Sequence, residues 1–319
     1  MEVNNMTANS SLISKEQQLA SIRKSVNLVM PKKEAEAFLV DTLKMASTLP
    51  KLRAKYTDVP SSKIPKLKVK SRQIREHTGD EQPTGTGSID TPQVPYSVRK
   101  VYWDEWIKDD DVWYNNTARG DDVETKTIDL VQGQFSVDIQ DLLFNGDADA
   151  KLADGTTPDP FLSILDGFVK KMKASTIKTA LGAAEPTIDD FVNHVLLLDE
   201  KYLNMTDLTW IMNRRTYQKL VALVQKRPTT LGDVTLVNGK LTEIAGYPIE
   251  VVQSLQSGFV ALTPLSNLVP VFTRDLRYKR TADGATAAIK DSTYHILFAY
   301  ADAVVLELEA VAWMSGDKL

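Results

Sequence analysis

The chain has 319 residues, of which 43% are hydrophobic and 25% are charged, with a formal net charge of −4. This composition is typical of a soluble globular protein with one large or two ordinary domains. It contains no cysteine and only three scattered histidines, which excludes disulfides and thiolate chemistry and disfavours a zinc site or a catalytic triad. No run approaches about eighteen apolar residues, so we expect no membrane-spanning helix and no membrane partner.

The charge is unevenly distributed along the chain. Residues 1–75 contain fifteen Lys/Arg and six Asp/Glu, a balance of +9, which leaves −13 for the remainder. A basic arm on an acidic body indicates contact with a polyanion or docking on an acidic neighbour, although a solvated Lys-rich tail has the same pattern. The candidate contact residues of this arm are Arg23, Lys24, Lys32 and Lys33.

Two short helices are predicted near the N-terminus, over residues 14–30 and 32–48. Pro31 ends the first and Pro50 stops the second. Neither helix has enough apolar surface to fold alone. We therefore expect both to pack on the body of the chain or on a neighbouring subunit.

A long hairpin is predicted next. Residues 63–75 (KIPKLKVKSRQIR) alternate as in a strand with one basic face. A polar, glycine-rich segment at 79–90 precedes a second extended run at 94–103. The polar tip cannot bury a core of its own, so we expect the hairpin to contact another subunit. Its candidate contact residues are Lys66, Lys68, Lys70, Arg72 and Arg75.

Aromatic residues follow the hairpin in an acidic setting. Trp103, Trp106, Trp113 and Tyr114 lie among the acidic residues of 104–111. The pattern is compatible with a sugar or metal site. We favour the simpler interpretation that buried rings anchor the base of the hairpin while the carboxylates are solvated.

The central element is a helix predicted over residues 121–145, with Asp121 and Glu124 as an acidic capping pair and Gly146 as its stop. A single apolar stripe runs along it. Its members are Ile128, Val131, Phe135, Ile139 and Leu142. The spacing of three or four residues places them on one face of a long core helix.

The segment after this helix has some features of a calcium-binding loop, through Asp147, Asp149 and Asp154. The ligand spacing departs from that pattern. Lys151, Leu152 and Pro158 occupy the positions of an oxygen ligand, the turn glycine and the closing glutamate. We therefore reject a calcium site.

The second half of the chain mixes helices and strands. The pattern predicts a helix over 187–202 capped by Thr187 and Asp190, a buried strand over 208–212 and a helix capped by Asn213. Asn238-Gly239 indicates a hairpin turn, and 304–313 alternates like one continuous strand. No phosphate-binding loop or nucleophile elbow is present, which argues weakly against an enzyme.

This order of elements resembles the major capsid proteins of tailed bacteriophages, whose fold is shared by encapsulins and the floor domain of herpesvirus capsids. The resemblance extends over about residues 59–319. Three segments carry it besides the hairpin and the long helix: FNGDADAKLADGTTPDPFLSIL, LTWIMNRRTYQKLVALV and LTEIAGYPIEVVQSL.

The resemblance implies an α+β phage major-capsid fold with five parts. These are an N-terminal arm at 1–58, an extension-loop hairpin with its base at 59–116, a peripheral domain at 117–180 containing a spine helix at 121–145, an axial domain at 181–264, and return strands at 265–319.

The resemblance also implies a function. It describes a structural protein without cofactor, not an enzyme, that assembles into pentamers and hexamers of an icosahedral head around double-stranded DNA. It further implies a virion component assembled in the host cytoplasm, a portal, and a separate scaffolding protein, since this chain has no room for a fused one. The alternatives are an encapsulin-like shell or, in another class, an α+β enzyme or binding protein.

Overall fold

The computed structural model describes residues 27–29, 32–66, 68–69, 89–108, 123–225, 236–237, 240–282, 285–317 and 319. Within them the helices are α1 (Lys32–Met45), α2 (Val123–Asn145), α3 (Phe168–Met172), α4 (Ile188–Val195), α5 (Glu200–Leu203), α6 (Arg214–Gln225) and α7 (Ala285–Lys290). None of these helices is long and apolar enough to cross a membrane.

The strands of the described residues run in chain order from β1 to β18. They are β1 (Asn27–Val29), β2 (Lys55–Thr57), β3 (Ser61–Pro65), β4 (Lys68–Val69), β5 (Ile89–Asp90), β6 (Gln93–Ser97), β7 (Arg99–Lys108), β8 (Lys178–Gly182), β9 (Leu208–Met212), β10 (Leu236–Val237), β11 (Lys240–Leu241), β12 (Glu243–Ile244), β13 (Tyr247–Val251), β14 (Phe259–Pro264), β15 (Leu268–Thr273), β16 (Arg277–Thr281), β17 (Ser292–Val305) and β18 (Ala312–Gly316).

The first sheet is assembled from distant parts of the chain. Its strand order is β1-β16-β17-β15-β2, and β7 also pairs with β17. The long strand β17 is antiparallel to β7, β15 and β16, while β2 joins β15 in parallel. Its inner face packs against α2 through buried residues such as Leu297 and Ala299.

The second sheet has the order β12-β13-β9-β14-β18-β8. Its central strands β9 and β14 are buried along their whole length. Trp210 and Val260 point into a core formed with α4 and α6, whereas Ile211 and Phe259 belong to the core that contains α2. The two sheets therefore share one continuous interior through the faces of β9 and β14.

The long helix lies at the centre of the larger core. The sequence predicted it over 121–145, and the structure has it from Val123 to Asn145. Val131, Phe135, Ile139 and Leu142 are all at most 4% exposed. Phe135, Ile139 and Leu142 belong to the same core as Phe38, Leu39 and Leu43 of α1, so α1 lies on the body of its own chain. Ile128 is on the same helix, but its side chain is outside the described residues, as is the Asp121–Glu124 pair.

The hairpin is present as two short antiparallel pairs, β3 with β6 and β4 with β5. Its base packs on the outer face of the first sheet. Tyr96 and Val98 join Val269, Val271 and Val304 in a small separate core. The predicted strand 94–103 is thereby corrected: it divides near Val98, with β6 in the hairpin and β7 in the first sheet.

Three other local predictions need correction. The helix predicted over 14–30 is wrong at its end, because Asn27–Val29 is a strand paired with β16. The single strand predicted over 304–313 is interrupted by a 3-10 helix, Leu308–Ala310, where the chain crosses between the sheets. The helix predicted over 187–202 is divided into α4 and α5.

Other local predictions are confirmed. Thr187 and Asp190 form the predicted capping box of α4. Asn213 Oδ1 accepts a hydrogen bond of 2.7 Å from the backbone N–H of Thr216 at the start of α6. Strands β10 and β11 pair antiparallel on either side of Asn238-Gly239, although these two turn residues lie outside the described residues. Short-range side-chain chemistry therefore fixes these element ends as expected.

Candidate functional site

The first candidate surface is the hairpin with its predicted basic contacts. The Lys66 ammonium lies 3.3 Å from Glu307 Oε1 and also donates to the backbone carbonyl of Leu306. Lys68 is in β4, but its side chain lies outside the described residues, and so do Lys70, Arg72 and Arg75. In the single chain, Lys66 thus holds the hairpin to its own body. The contact of these five residues with another subunit stays a prediction.

The base of the hairpin is clamped by a buried carboxylate. Asp302 accepts a 2.9 Å hydrogen bond from the backbone N–H of Ser97 and a 3.0 Å bond from the Lys171 ammonium. The hydroxyls of Tyr96 and Thr57 lie 2.9 Å apart. Between this base and the segment after α2 is an open groove of about 730 Å³. The hairpin is therefore fixed at its root.

The hairpin and both sheets meet at the crossover segment 306–310. Asn267 bonds the backbone N–H of Glu307 at 2.7 Å and its carbonyl at 2.9 Å. From α5, the Tyr202 hydroxyl donates to Glu307 Oε2 at 2.8 Å, and Lys201 lies 3.3 Å from Glu309. Burial, together with these carboxylates, raises the pKa of the Tyr202 phenol. The junction ties the hairpin, the first sheet and α5 to one loop.

The second candidate surface is the N-terminal arm. Arg23 and Lys24 lie outside the described residues, and Lys32 and Lys33 start α1 with side chains outside them. Further along α1, Glu36 lies 2.7 Å from Arg274. Contacts of these four basic residues with a neighbour or with DNA therefore stay a prediction.

The segment that follows α1 joins a polar network with α2 and with β13 of the second sheet. Gln140 of α2 accepts a 3.1 Å hydrogen bond from the backbone N–H of Thr48 and donates to the carbonyl of Gln253 at 3.3 Å. Glu250 lies 2.6 Å from Lys51 and accepts from the Thr48 hydroxyl at 3.2 Å. These bonds satisfy polar groups that the packing of α2 would otherwise bury unpaired.

The solvent face of α2 is the third candidate surface. Leu130 is 65% exposed and Val137 is 37% exposed, and acidic residues lie beside them. Burial, and secondarily the charge of Asp141, raise the pKa of Asp138. Exposed apolar side chains beside acidic residues near the C-terminal end of a helix favour a basic partner.

The segment after α2 is organised around a lysine. The Lys170 ammonium lies 2.7 Å from Asp147, 2.6 Å from Asp149 and 2.8 Å from Asp166. Burial alone would lower the pKa of Lys170, but the three carboxylates raise it. In the described part of the chain, no group of three or more His, Asp or Glu residues is arranged to hold a metal ion.

The two described histidines are buried packing residues. His194 Nδ1 is 2.8 Å from the Thr179 hydroxyl, its ring lies beside Trp210, and burial lowers its pKa to about 4. His295 Nδ1 bonds the Tyr278 hydroxyl between neighbouring strands of the first sheet. His77 lies outside the described residues. These positions give no acid–base arrangement in an open cleft.

Sequence reasoning missed the residues that hold the hairpin. Asp302 carried a recognisable signal, because it is a single carboxylate inside the apolar run HILFAYADAVV. A carboxylate in such a run is expected to be paired. Glu307 carried no signal, since its alternation with apolar neighbours is also that of a solvated strand face.

The sequence is similar to those of phage capsid proteins. A family model described as "Phage capsid family" matches residues 154–316, slightly more than half of the chain. The "Putative prophage capsid protein YqbE" of Bacillus subtilis (strain 168) is 27% identical over 243 residues, which are 72% of this chain and 70% of that protein.

Two solved structures share the fold. One is titled "Satellite phage P4 procapsid including size determination (Sid) protein"; it has a TM-score of 0.64 at 15% identity and covers 88% of this chain and 98% of its own. The other is the "Capsid of empty GTA particle computed with C5 symmetry", with a TM-score of 0.55 at 14% identity, 85% of this chain and 90% of its own.

Proposed function

The chain belongs to the phage capsid family, and we propose that its copies form the pentamers and hexamers of a phage head that encloses double-stranded DNA. It is a structural protein of an icosahedral shell and associates with copies of itself. Beyond family membership, we propose that the copies form pentamers and hexamers, that the shell encloses DNA, and that the protein is not an enzyme.

The observation that carries the proposal is the hairpin. Its strands β3 and β6 pair only with each other among the described residues. Their base is clamped to the first sheet by Asp302, and Lys66, which follows β3, is held by Glu307. A two-stranded ribbon in isolation is marginally stable, so such a ribbon gains stability when another molecule covers it.

We assign the neighbour's α2 as the surface on which the hairpin docks. The sequence beyond Lys66 contains Lys68, Lys70, Arg72 and Arg75. The solvent face of α2 offers Leu130, Val137, Asp138 and Asp141. Opposite charges across a subunit contact select the partner and orientation, and added salt screens them.

The remaining partners belong to the same proposal. A separate scaffolding protein sets the size of the shell, a portal occupies one vertex, and assembly takes place in the host cytoplasm. The basic arm contacts either DNA or a neighbouring subunit. The charge balance of +9 for residues 1–75 supports both.

The test is electron microscopy of the purified full-length protein. We expect rings of five and six or closed particles, and weaker assembly as the salt concentration is raised. A stable monomer at high protein concentration would contradict the proposal. Particles recovered from cells filled with an enzyme and free of DNA would instead favour an encapsulin-like shell.

The docking surface has a separate test. The double substitution Asp138→Lys/Asp141→Lys should abolish particle formation; the melting temperature of the monomer is measured alongside, because Asp141 also accepts a hydrogen bond from the Asn145 side chain. Adding Lys70→Glu/Arg72→Glu should restore assembly, because the charges are then reversed on both sides. Assembly that is indifferent to all four changes would exclude this contact.

A further inference from the structure

The outer face of the first sheet is divided into a covered half and an open half. Around Val269, Val271 and Val304, the base of the hairpin packs over it. Further along β17 and β7, the same face carries large side chains that are only half-buried or exposed. The two halves are continuous, since both follow the alternate residues of β17.

The open half is rich in aromatic residues. Cross-strand pairing places Tyr102 opposite Phe298 and Trp106 opposite Tyr294. The rings of the first pair are 6.3 Å apart and those of the second 4.8 Å, and Tyr102 is 65% exposed. Aromatic side chains of this size are usually covered in a finished assembly.

Cations surround these rings. The Lys100 ammonium lies 4.4 Å from the centre of the Phe298 ring, and the Lys290 ammonium lies 4.5 Å from Trp106. Lys279 pairs in register with Ile296 and Arg277 with Phe298, which puts both on the same face. Lys108 is exposed at the end of β7. We call this set of rings and cations the basic aromatic face.

Most of these cations have no carboxylate partner in the part of the chain that the structure describes. Among the described residues, Lys100, Lys108, Lys279 and Lys290 have none within 4.0 Å, whereas Arg277 is held by Asp275 at 2.9 Å. Asp104, a carboxylate on the same face, accepts a 2.8 Å hydrogen bond from the Tyr294 hydroxyl. Counted over the described residues, the face therefore has more cations than carboxylates.

We propose that the basic aromatic face binds the phosphate backbone of the DNA inside the shell. The cation–π contacts hold two ammonium groups in place at the surface, and the exposed Tyr102 hydroxyl can donate to a phosphate oxygen. Nothing in this chemistry reads base edges, so binding is independent of sequence. The inference rests on the proposed function, in which the shell encloses DNA.

Charge argues against the other natural occupant, the hairpin of a second copy. The sequence of that hairpin is itself basic, with Lys63, Lys66, Lys68 and Lys70 within eight residues. Placing it on the basic aromatic face would bring like charges together, which costs free energy at a subunit contact. The acidic face of α2 suits the hairpin, and the basic aromatic face suits a polyanion.

The test uses the full-length protein and a fluorescein-labelled DNA duplex of about 30 base pairs. The variant is Lys279→Glu/Lys290→Glu. Its matched control is Lys151→Glu/Lys178→Glu, which makes the same charge change at exposed positions in the turn after α2 and in β8. DNA affinity is measured by anisotropy from about 50 to 200 mM NaCl, and particle formation of each protein is followed by electron microscopy.

We expect the variant to lose about tenfold in affinity at ~0.1 M salt, with a salt slope smaller by about 2, and the control to stay within about threefold of the wild type. Variant particles should still form. Equal affinity of variant and control would overturn the inference. Loss of particles with unchanged DNA affinity would also overturn it, and would assign the face to a second copy.

Failure of the proposed function gives a different result. If the wild-type chain forms no particles under any condition, the shell proposal fails whatever the DNA measurements show. If particles form normally and the salt slope is the same in all three proteins, the shell proposal stands and the DNA site on this sheet does not.

Discussion

The two sheets differ in how completely their faces are covered within one chain. The second sheet covers both faces of its central strands, with one face in each of the two large cores. The first sheet covers its inner face with α2 and only half of its outer face with the hairpin base. The second sheet is thus complete within one chain, whereas the first exposes aromatic surface that suits a partner.

This difference separates stability from assembly. Changes in the second sheet should act on folding, because every side chain on β9 and β14 is buried. Changes on the open face, the hairpin and the solvent side of α2 should act on contacts with other molecules. The following predictions test that separation.

The largest effect is expected for Trp210→Ala. Trp210 is fully buried, packs edge to face on Phe191 and donates its indole N–H to the carbonyl of Ile244 at 3.1 Å. Its loss should lower the free energy of unfolding by about 3–5 kcal/mol. Tyr102→Ala on the open face should cost about 0.5 kcal/mol or less. Urea unfolding measures both, and equal losses would remove the distinction between the sheets.

The next effect concerns the end of α2, where Gly167 packs closely against its last turn. A Cβ on Gly167 would lie 2.8 Å from backbone atoms of Gly146, Leu143 and Phe144. Gly167→Ala should therefore destabilise by about 2–4 kcal/mol. Gly133→Ala, in the middle of α2 with no atom within 4 Å of the added Cβ, should stabilise by about 0.5–1 kcal/mol. Thermal melting should show a lower melting temperature for Gly167→Ala and a higher one for Gly133→Ala. A higher melting temperature for both would show that the backbone around Gly167 shifts to accommodate the added methyl group.

A smaller effect should appear on acidification. The pKa of His194 is lowered to about 4, below its ordinary value of 6.5, because the ring is buried. Between these values the unfolded chain binds a proton that the folded chain does not, so stability falls as the pH falls. From pH 7 to about pH 5 the loss should be about 2 kcal/mol. His194→Gln should flatten that part of the urea-midpoint profile; an unchanged profile would exclude His194 as its source.

The smallest effect is expected for Lys66→Met, which keeps the apolar stem and removes the pair with Glu307. The pair is partly exposed, so its loss should lower the local stability of the hairpin by about 1 kcal/mol or less. We expect faster hydrogen exchange at β6 with no change in global unfolding. Lys63→Met, on the exposed side of β3, is the control. Loss of global stability in Lys66→Met would mean that the hairpin is an integral part of the fold.

The sequence by itself determined the elements whose signals are local. The stripe from Val131 to Leu142 repeats every three or four residues and needs no knowledge of its partner to indicate a helix. The caps at Thr187 and Asn213 also act within three residues. Strand 208–212 was readable because an apolar run of that length is typical of a buried strand.

Only the tertiary structure decided which strands meet and where the chain changes sheet. The residues 27–29 form a strand because β16 offers an edge some 250 residues later, and no pattern within 14–30 contains that information. At Glu307 the alternation continues while the chain leaves one sheet for the other, held by Asn267 and Lys66. Periodicity indicates which face of its helix or strand a residue occupies. Which other element covers that face is decided by packing across the whole chain.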